Sequence, residues 1–153
     1  MPIVSFRNTS LQYGNQLTIR VCYIEVTENK TTAIVGKSGS GKSNLLQPII
    51  GLERPTPGEV QVFGQRLNYQ AIQTVRLRCD FMVQGSGLFP AACGHLSCFV
   101  LNPTLSLMDE PFGALDSITH SEIHQEIVQL QKLQPRTNLL VTHDAGYFSL
   151  LTC

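Results

Sequence analysis

With 153 residues, 42% of them hydrophobic, the chain has the size and apolar content of one domain that can bury a core. Charged residues make up only 14% and the formal net charge is zero, so no field draws it to nucleic acid or anionic lipid. No apolar run reaches the roughly 18 residues of a membrane span, and "MPIVSFRNTS" lacks a signal peptide's charged and apolar regions; the expectation is a cytoplasmic protein without membrane insertion.

In chain order, "IVSF" (Ile3–Phe6) and "LTIRVCYIEV" (Leu17–Val26) alternate apolar and polar residues and predict half-buried strands. "TAIVG" (Thr32–Gly36) is a short apolar run suited to a buried parallel strand. "KSNLLQPIIGL" (Lys42–Leu52) predicts a helix with Leu45, Leu46, Ile49 and Ile50 inward, interrupted by Pro48. "RPTPGEVQVFG" (Arg54–Gly64) is a turn and then a strand, "AIQTVRLR" (Ala71–Arg78) a helix, and "CDFMVQ" (Cys79–Gln84) a strand. "TLSLMDEP" (Thr104–Pro111) predicts a buried strand ending in two acids. A helix is expected over Ser117–Gln134, closed by Pro135, and a strand in "NLLVTHD" (Asn138–Asp144). Alternating strands and helices imply a parallel sheet with right-handed crossovers.

Gly36-x4-Gly41-Lys42-Ser43 is a complete P-loop between a strand and a helix. Its glycines let backbone N–H groups approach phosphates, Lys42 can reach the β- and γ-phosphates, and the Ser43 hydroxyl can ligate Mg2+. Asp109 and Glu110 close a buried strand, where one acid can hold the metal through water and the other can orient or deprotonate an attacking water. The NKxD guanine-reading motif is absent. His120 and His124, in "HSEIH", are spaced for a shared metal but lack the HExxH pattern and a third ligand, so they read as a solvated helix face. Five cysteines without a CxxC pair read as reduced thiols, with Cys22 and Cys79 toward the core and Cys93 and Cys98 in a loop.

Together these stretches resemble the nucleotide-binding subunit of ABC transporters. "GKSGSGKSNLL" is similar to that family's Walker A loop, "LSLMDEP" to its Walker B strand, "FGALD" to its D-loop, and "VTHD" to the segment with the switch histidine. "FMVQGSGLFP" is similar to its Q-loop and "GLERPTPGEVQVFG" follows its pattern; "LMDEPFGALDSIT" resembles importers of compatible solutes such as glycine betaine. The resemblance implies an α/β fold: a P-loop NTPase core with a parallel sheet and N-terminal antiparallel strands. It implies ATP and Mg2+ as cofactors. Gly36, Ser38, Gly39, Ser40, Gly41, Lys42, Ser43 and Asn44 would hold phosphate, with Tyr13 stacked on adenine. Ser43, Gln84 and, through water, Asp109 would hold the metal, and Glu110, His143 and Gln84 would serve catalysis. Implied partners are a second such subunit, with Asp116 at the interface, and a membrane permease, which would place this chain peripherally at the inner face of the plasma membrane.

One part of the pattern is missing. Gln84 and Asp109 are only 25 positions apart and no LSGGQ occurs. "AACGHLSCFV" (91–100) stands where the family has a helical subdomain ending in that signature, so the whole of 1–153 reads as one truncated domain with a shortened junction. The family completes its ATP site with a partner's signature. A chain lacking it is expected to lose electrostatic stabilisation, each such donor contributing about 10²–10³ in rate. The chain also stops where further strands usually follow, which would leave Leu139–Thr142 as an exposed edge. Asn44 in place of a hydroxyl, Ser106 in a buried strand and no glycine in "TENKTT" point the same way. Two expectations result: an ATP-hydrolysing importer subunit, or a nucleotide-binding relic or decoy that no longer turns over.

Overall fold

The structure, a computed structural model, describes residues 1–83, 103–111, 113, 125, 129, 131–133 and 135–143, without the side chains of Tyr13 and Val21. Two four-stranded sheets form among them. The first is antiparallel, in the order β2 (Gln16–Thr27), β1 (Pro2–Tyr13), β4 (Glu59–Val62), β5 (Gln65–Arg66). The second is parallel, in the order β3 (Thr31–Val35), β8 (Thr137–Thr142), β7 (Leu105–Asp109), β6 (Cys79–Met82). An α/β core with N-terminal antiparallel strands is thus the observed fold.

The strand chemistry follows the sequence. Leu105, Leu107, Leu139 and Val141 are wholly buried, and so are Val4 and Val26, with Phe6 nearly so. They belong to one apolar cluster that also takes in Leu46 and Ile49. Burying such side chains is the main favourable contribution to the fold. A polar rung crosses the parallel sheet: Thr31 is in register with Asn138, Asn138 with Ser106, and Ser106 with Asp80. Asn138 is buried, and its amide donates to the Thr31 hydroxyl at 3.1 Å and to the Gln131 side-chain oxygen at 2.9 Å. Those bonds remove the cost of an unpaired amide.

Two expectations need correction. The Lys42–Leu52 segment is not a regular helix: a single 3-10 turn covers Ser43–Leu45, and turns follow. Its bonds run to the third residue back, as in Leu45 N–H to the Lys42 carbonyl at 3.0 Å and Leu46 N–H to Ser43 at 3.2 Å. Pro48 lacks the N–H that an α-helix would use, and its ring conflicts with the carbonyl four residues earlier. Leu45, Leu46, Ile49 and Ile50 are nevertheless all buried, as their spacing implied. The second correction concerns Leu139–Thr142. It is no edge, because β8 pairs with β3 on one side and β7 on the other.

The first strand is longer than expected, since β1 runs past Phe6 to Tyr13, and β5 was not expected; the helix of Ala71–Arg78 is α1 (Ile72–Arg76). Most of Ser117–Gln134, the 91–100 junction, Cys93, Cys98 and Cys153 lie outside the described residues.

Candidate functional site

Register brings the C-terminal ends of three strands together. Val35 is paired with Thr142, and Asp109 with Val141. Gly36 N–H donates to the Thr142 carbonyl at 3.3 Å, so the Gly-rich loop leaves the sheet beside the residues that follow β8. Ligand sites of open α/β sheets lie at this end of the strands.

Lys42 is buried, at 8% exposure, although it sits in a loop. Its Nζ donates to the Lys37 carbonyl at 2.7 Å and lies 3.4 Å from the Ser40 hydroxyl. Both partners are neutral, and the one ion pair among the described residues is elsewhere. A buried ammonium without a counter-charge favours an anion beside it. Lys37, Ser38, Gly39 and Ser40 are exposed around it and Asn44 is half-buried. Gly41 has φ +85°, and a Cβ there would lie 3.0 Å from the Thr18 carbonyl oxygen and 3.2 Å from its methyl. β2 therefore packs against the loop, and glycine is required at Gly41. A Cβ on Gly39 would meet nothing within 4 Å, which leaves the outer face of the loop open.

The Ser43 hydroxyl donates to Asp109 Oδ1 at 2.8 Å. This joins the loop to the end of β7. A hydroxyl and a carboxylate are hard oxygen donors that suit Mg2+, which commonly takes one or two protein oxygens and fills the rest with water and phosphate. No cluster of three or more His, Cys, Asp or Glu exists among the described residues, so a metal here would depend on those other ligands.

Glu110 follows at φ +46°, a region that glutamate rarely enters. Its N–H donates to the Val141 carbonyl at 2.8 Å, and Gly113 N–H donates to its carbonyl at 3.1 Å. These bonds hold the turn and aim the side chain at His143, whose Nδ1 is 2.8 Å from Glu110 Oε2. Glu110 is 15% exposed and His143 56%. A carboxylate with one oxygen held and the other free can accept a proton from a bound water.

Of the residues singled out in the sequence, Gly36, Gly41, Lys42, Ser43, Asp109, Glu110 and His143 are brought to this one end of the sheet. Tyr13 ends β1 opposite Gln16. Gln84, Asp116, His120 and His124 lie outside the described residues. Sequence reading missed Thr18 and the carbonyls of Lys37, Val141 and Thr142. The last three act through the backbone and carry no side-chain signal.

A parallel sheet, a Gly-rich loop and paired acids at its C-terminal end define a P-loop nucleotide-binding core. The model of the ABC transporter family matches residues 20–95, and the chain is similar to ATP-binding subunits of that family. It is 25% identical to the glycine betaine uptake ATP-binding protein YehX of Escherichia coli, over 93% of this chain and 63% of that one. It is 29% identical to the aliphatic sulfonates import ATP-binding protein SsuB 2 of Pseudomonas syringae, over 97% of this chain and 66% of that one. The chain thus spans somewhat less than two thirds of the length of these relatives. Among solved structures, cbiO1 from Clostridium perfringens, part of the ABC transporter complex cbiONQ, matches with TM-score 0.78 at 20% identity, over 94% of this chain and 79% of that one. A dimeric bacterial ABC transporter cassette matches with TM-score 0.78 at 22% identity, over 96% and 90%. These likenesses establish the fold.

Proposed function

We propose that the chain is the ATP-binding subunit of a solute importer, binding Mg-ATP and hydrolysing it beside a second subunit and a membrane permease. The observation that supports this most is the convergence of buried, uncompensated Lys42 with the Ser43–Asp109 bond and the Glu110–His143 pair. The names of the relatives, uptake and import ATP-binding proteins for glycine betaine, aliphatic sulfonates and zinc, support an importer of small solutes.

In this reading the N–H groups of Gly36–Gly41 and the side chains of Ser38, Ser40, Lys42 and Asn44 bind the phosphates, and Tyr13 stacks on adenine. Ser43, Gln84 and (through water) Asp109 would hold Mg2+, which would neutralise charge on the phosphates. Glu110 accepts a proton from the attacking water while the bond from the γ-phosphorus to its bridging oxygen breaks. His143 keeps Glu110 oriented and contacts the γ-phosphate, and Asp116 acts across the subunit interface.

A second reading, nucleotide binding without turnover, is favoured by the missing LSGGQ. It is also favoured by alignments longer than the chain: 194 positions for the glycine betaine relative against 153 residues here. Positions of that relative therefore have no counterpart in this chain. Equilibrium binding of a fluorescent ATP analogue tests the element common to both readings. Binding should saturate, require Mg2+, and weaken by about tenfold or more in Lys42→Ala, which removes a charge-assisted contact. Binding unchanged in that variant contradicts both.

A further inference from the structure

Away from the P-loop, a cavity of about 350 Å³ is lined by Arg54, Arg66, Leu67, Asn68, Tyr69 and Gln70. Three independent features meet there. The lining holds two guanidinium groups and no carboxylate, and neither arginine belongs to the one ion pair among the described residues. The Tyr69 hydroxyl is the one buried side-chain N or O atom among the described residues without a hydrogen-bond partner. Leu67 is buried, and the Tyr69 ring carries the Arg54 guanidinium 5.1 Å from its centroid, so the floor is apolar and the rim cationic.

A buried hydroxyl is nearly always paired, so the Tyr69 hydroxyl, with no partner among the described residues, is a donor open to an acceptor oxygen. Burial raises the Tyr69 pKa and nearby Arg54 opposes this, so the phenol keeps its proton and remains a donor. Asn68 uses its side-chain oxygen on Gln70 N–H at 2.9 Å, which leaves its amide hydrogens for another acceptor. The group that satisfies all of these is an anion with several oxygens. The hollow is open to solvent, so it would hold the charged end of a small molecule and cover only part of its body.

We propose that this cavity is a second ligand site, which takes a small organic phosphate or carboxylate with an apolar body. The anion pairs with Arg66 and Arg54, and one of its oxygens accepts from the Tyr69 hydroxyl. The site does not depend on the nucleotide reading of the P-loop.

Phenyl phosphate, followed by NMR titration of the full isotope-labelled chain, tests it. Inorganic phosphate serves as the comparison without an apolar body. Shifts at Arg66–Gln70 should saturate with a Kd of about 0.1–10 mM, as suits a ligand of this size. Lys42→Ala silences the P-loop and should leave those shifts in place. Arg66→Ala, an exposed position, should weaken binding by about tenfold or more. Inorganic phosphate should bind more weakly than phenyl phosphate. Tyr69→Phe should weaken binding while leaving the Tm of the ligand-free chain equal or higher, since it removes an unpaired hydroxyl. Shifts lost in Lys42→Ala but kept in Arg66→Ala overturn the proposal, because all binding then belongs to the P-loop. A Tm lowered by Tyr69→Phe also overturns it, because the hydroxyl then has a partner in the protein.

Discussion

Lys42 is held by a backbone carbonyl and a hydroxyl, both neutral, so its charge remains available to a phosphate. Its place in the Gly-rich loop was legible because that loop is marked by residue type and spacing, and both survive without a fold. Glu110 was legible as an acid but not as a strained one. At its φ of +46° its N–H bonds the Val141 carbonyl, a contact that no residue type announces. Asp80 is a residue-scale case with a measurable sign. Burial raises its pKa, and a hydrogen bond from Phe81 N–H opposes this in part. The stability it contributes is present below the ordinary carboxylate pKa of about 3.9 and is lost as pH rises through the raised folded value. Asp80→Asn keeps the acceptor and removes the charge, so it should raise Tm at pH 7, and the gain should vanish in acid; thermal unfolding across pH checks both. Cys79, pushed up to about 12 chiefly by burial, stays a thiol at any working pH. Iodoacetamide at pH 8 should spare it in the folded chain and modify it after denaturation.

Elements were legible where local pattern decided them. Most strands and α1 fell within a few residues of their apolar runs, but β1 runs on from Phe6 to Tyr13 and β5 (Gln65–Arg66) had no apolar run to mark it. The segment after the P-loop did not, because one proline outweighed four well-spaced apolar residues, and burial survived without the helix. The position of β8 in the sheet was misread because strand order is set by long-range pairing, to which the end of a chain gives no guide. Gly58 tests the element scale. It has φ +120°, and a Cβ there would lie 2.4 Å from Thr9 Cα and 2.5 Å from the Asn8 carbonyl oxygen, both backbone. That contact lies where Ser10 N–H donates to the Pro57 carbonyl and Thr56 N–H to the Ser10 carbonyl. Gly58→Ala should therefore destabilise by more than about 1–3 kcal/mol, the cost of backbone strain alone, as read from the urea midpoint. Leu107→Ala, at the wholly buried centre of β7, should lose about 2–5 kcal/mol.

For the molecule as a whole, the two sheets share one apolar cluster, and the site forms where β3, β7 and β8 end. That convergence was foreshadowed by the motifs, but only register shows that Ser43 meets Asp109 and that Glu110 meets His143. Turnover without LSGGQ decides between the two proposed readings. The decisive measurement is Mg2+-dependent ATP hydrolysis by the purified chain and by Glu110→Gln over a range of protein concentrations. The account predicts turnover that rises faster than linearly with concentration and falls at least about 10²-fold in the mutant, the scale of general-base catalysis. Turnover no higher than that of Glu110→Gln at every concentration would contradict it and leave a nucleotide-binding module without catalysis.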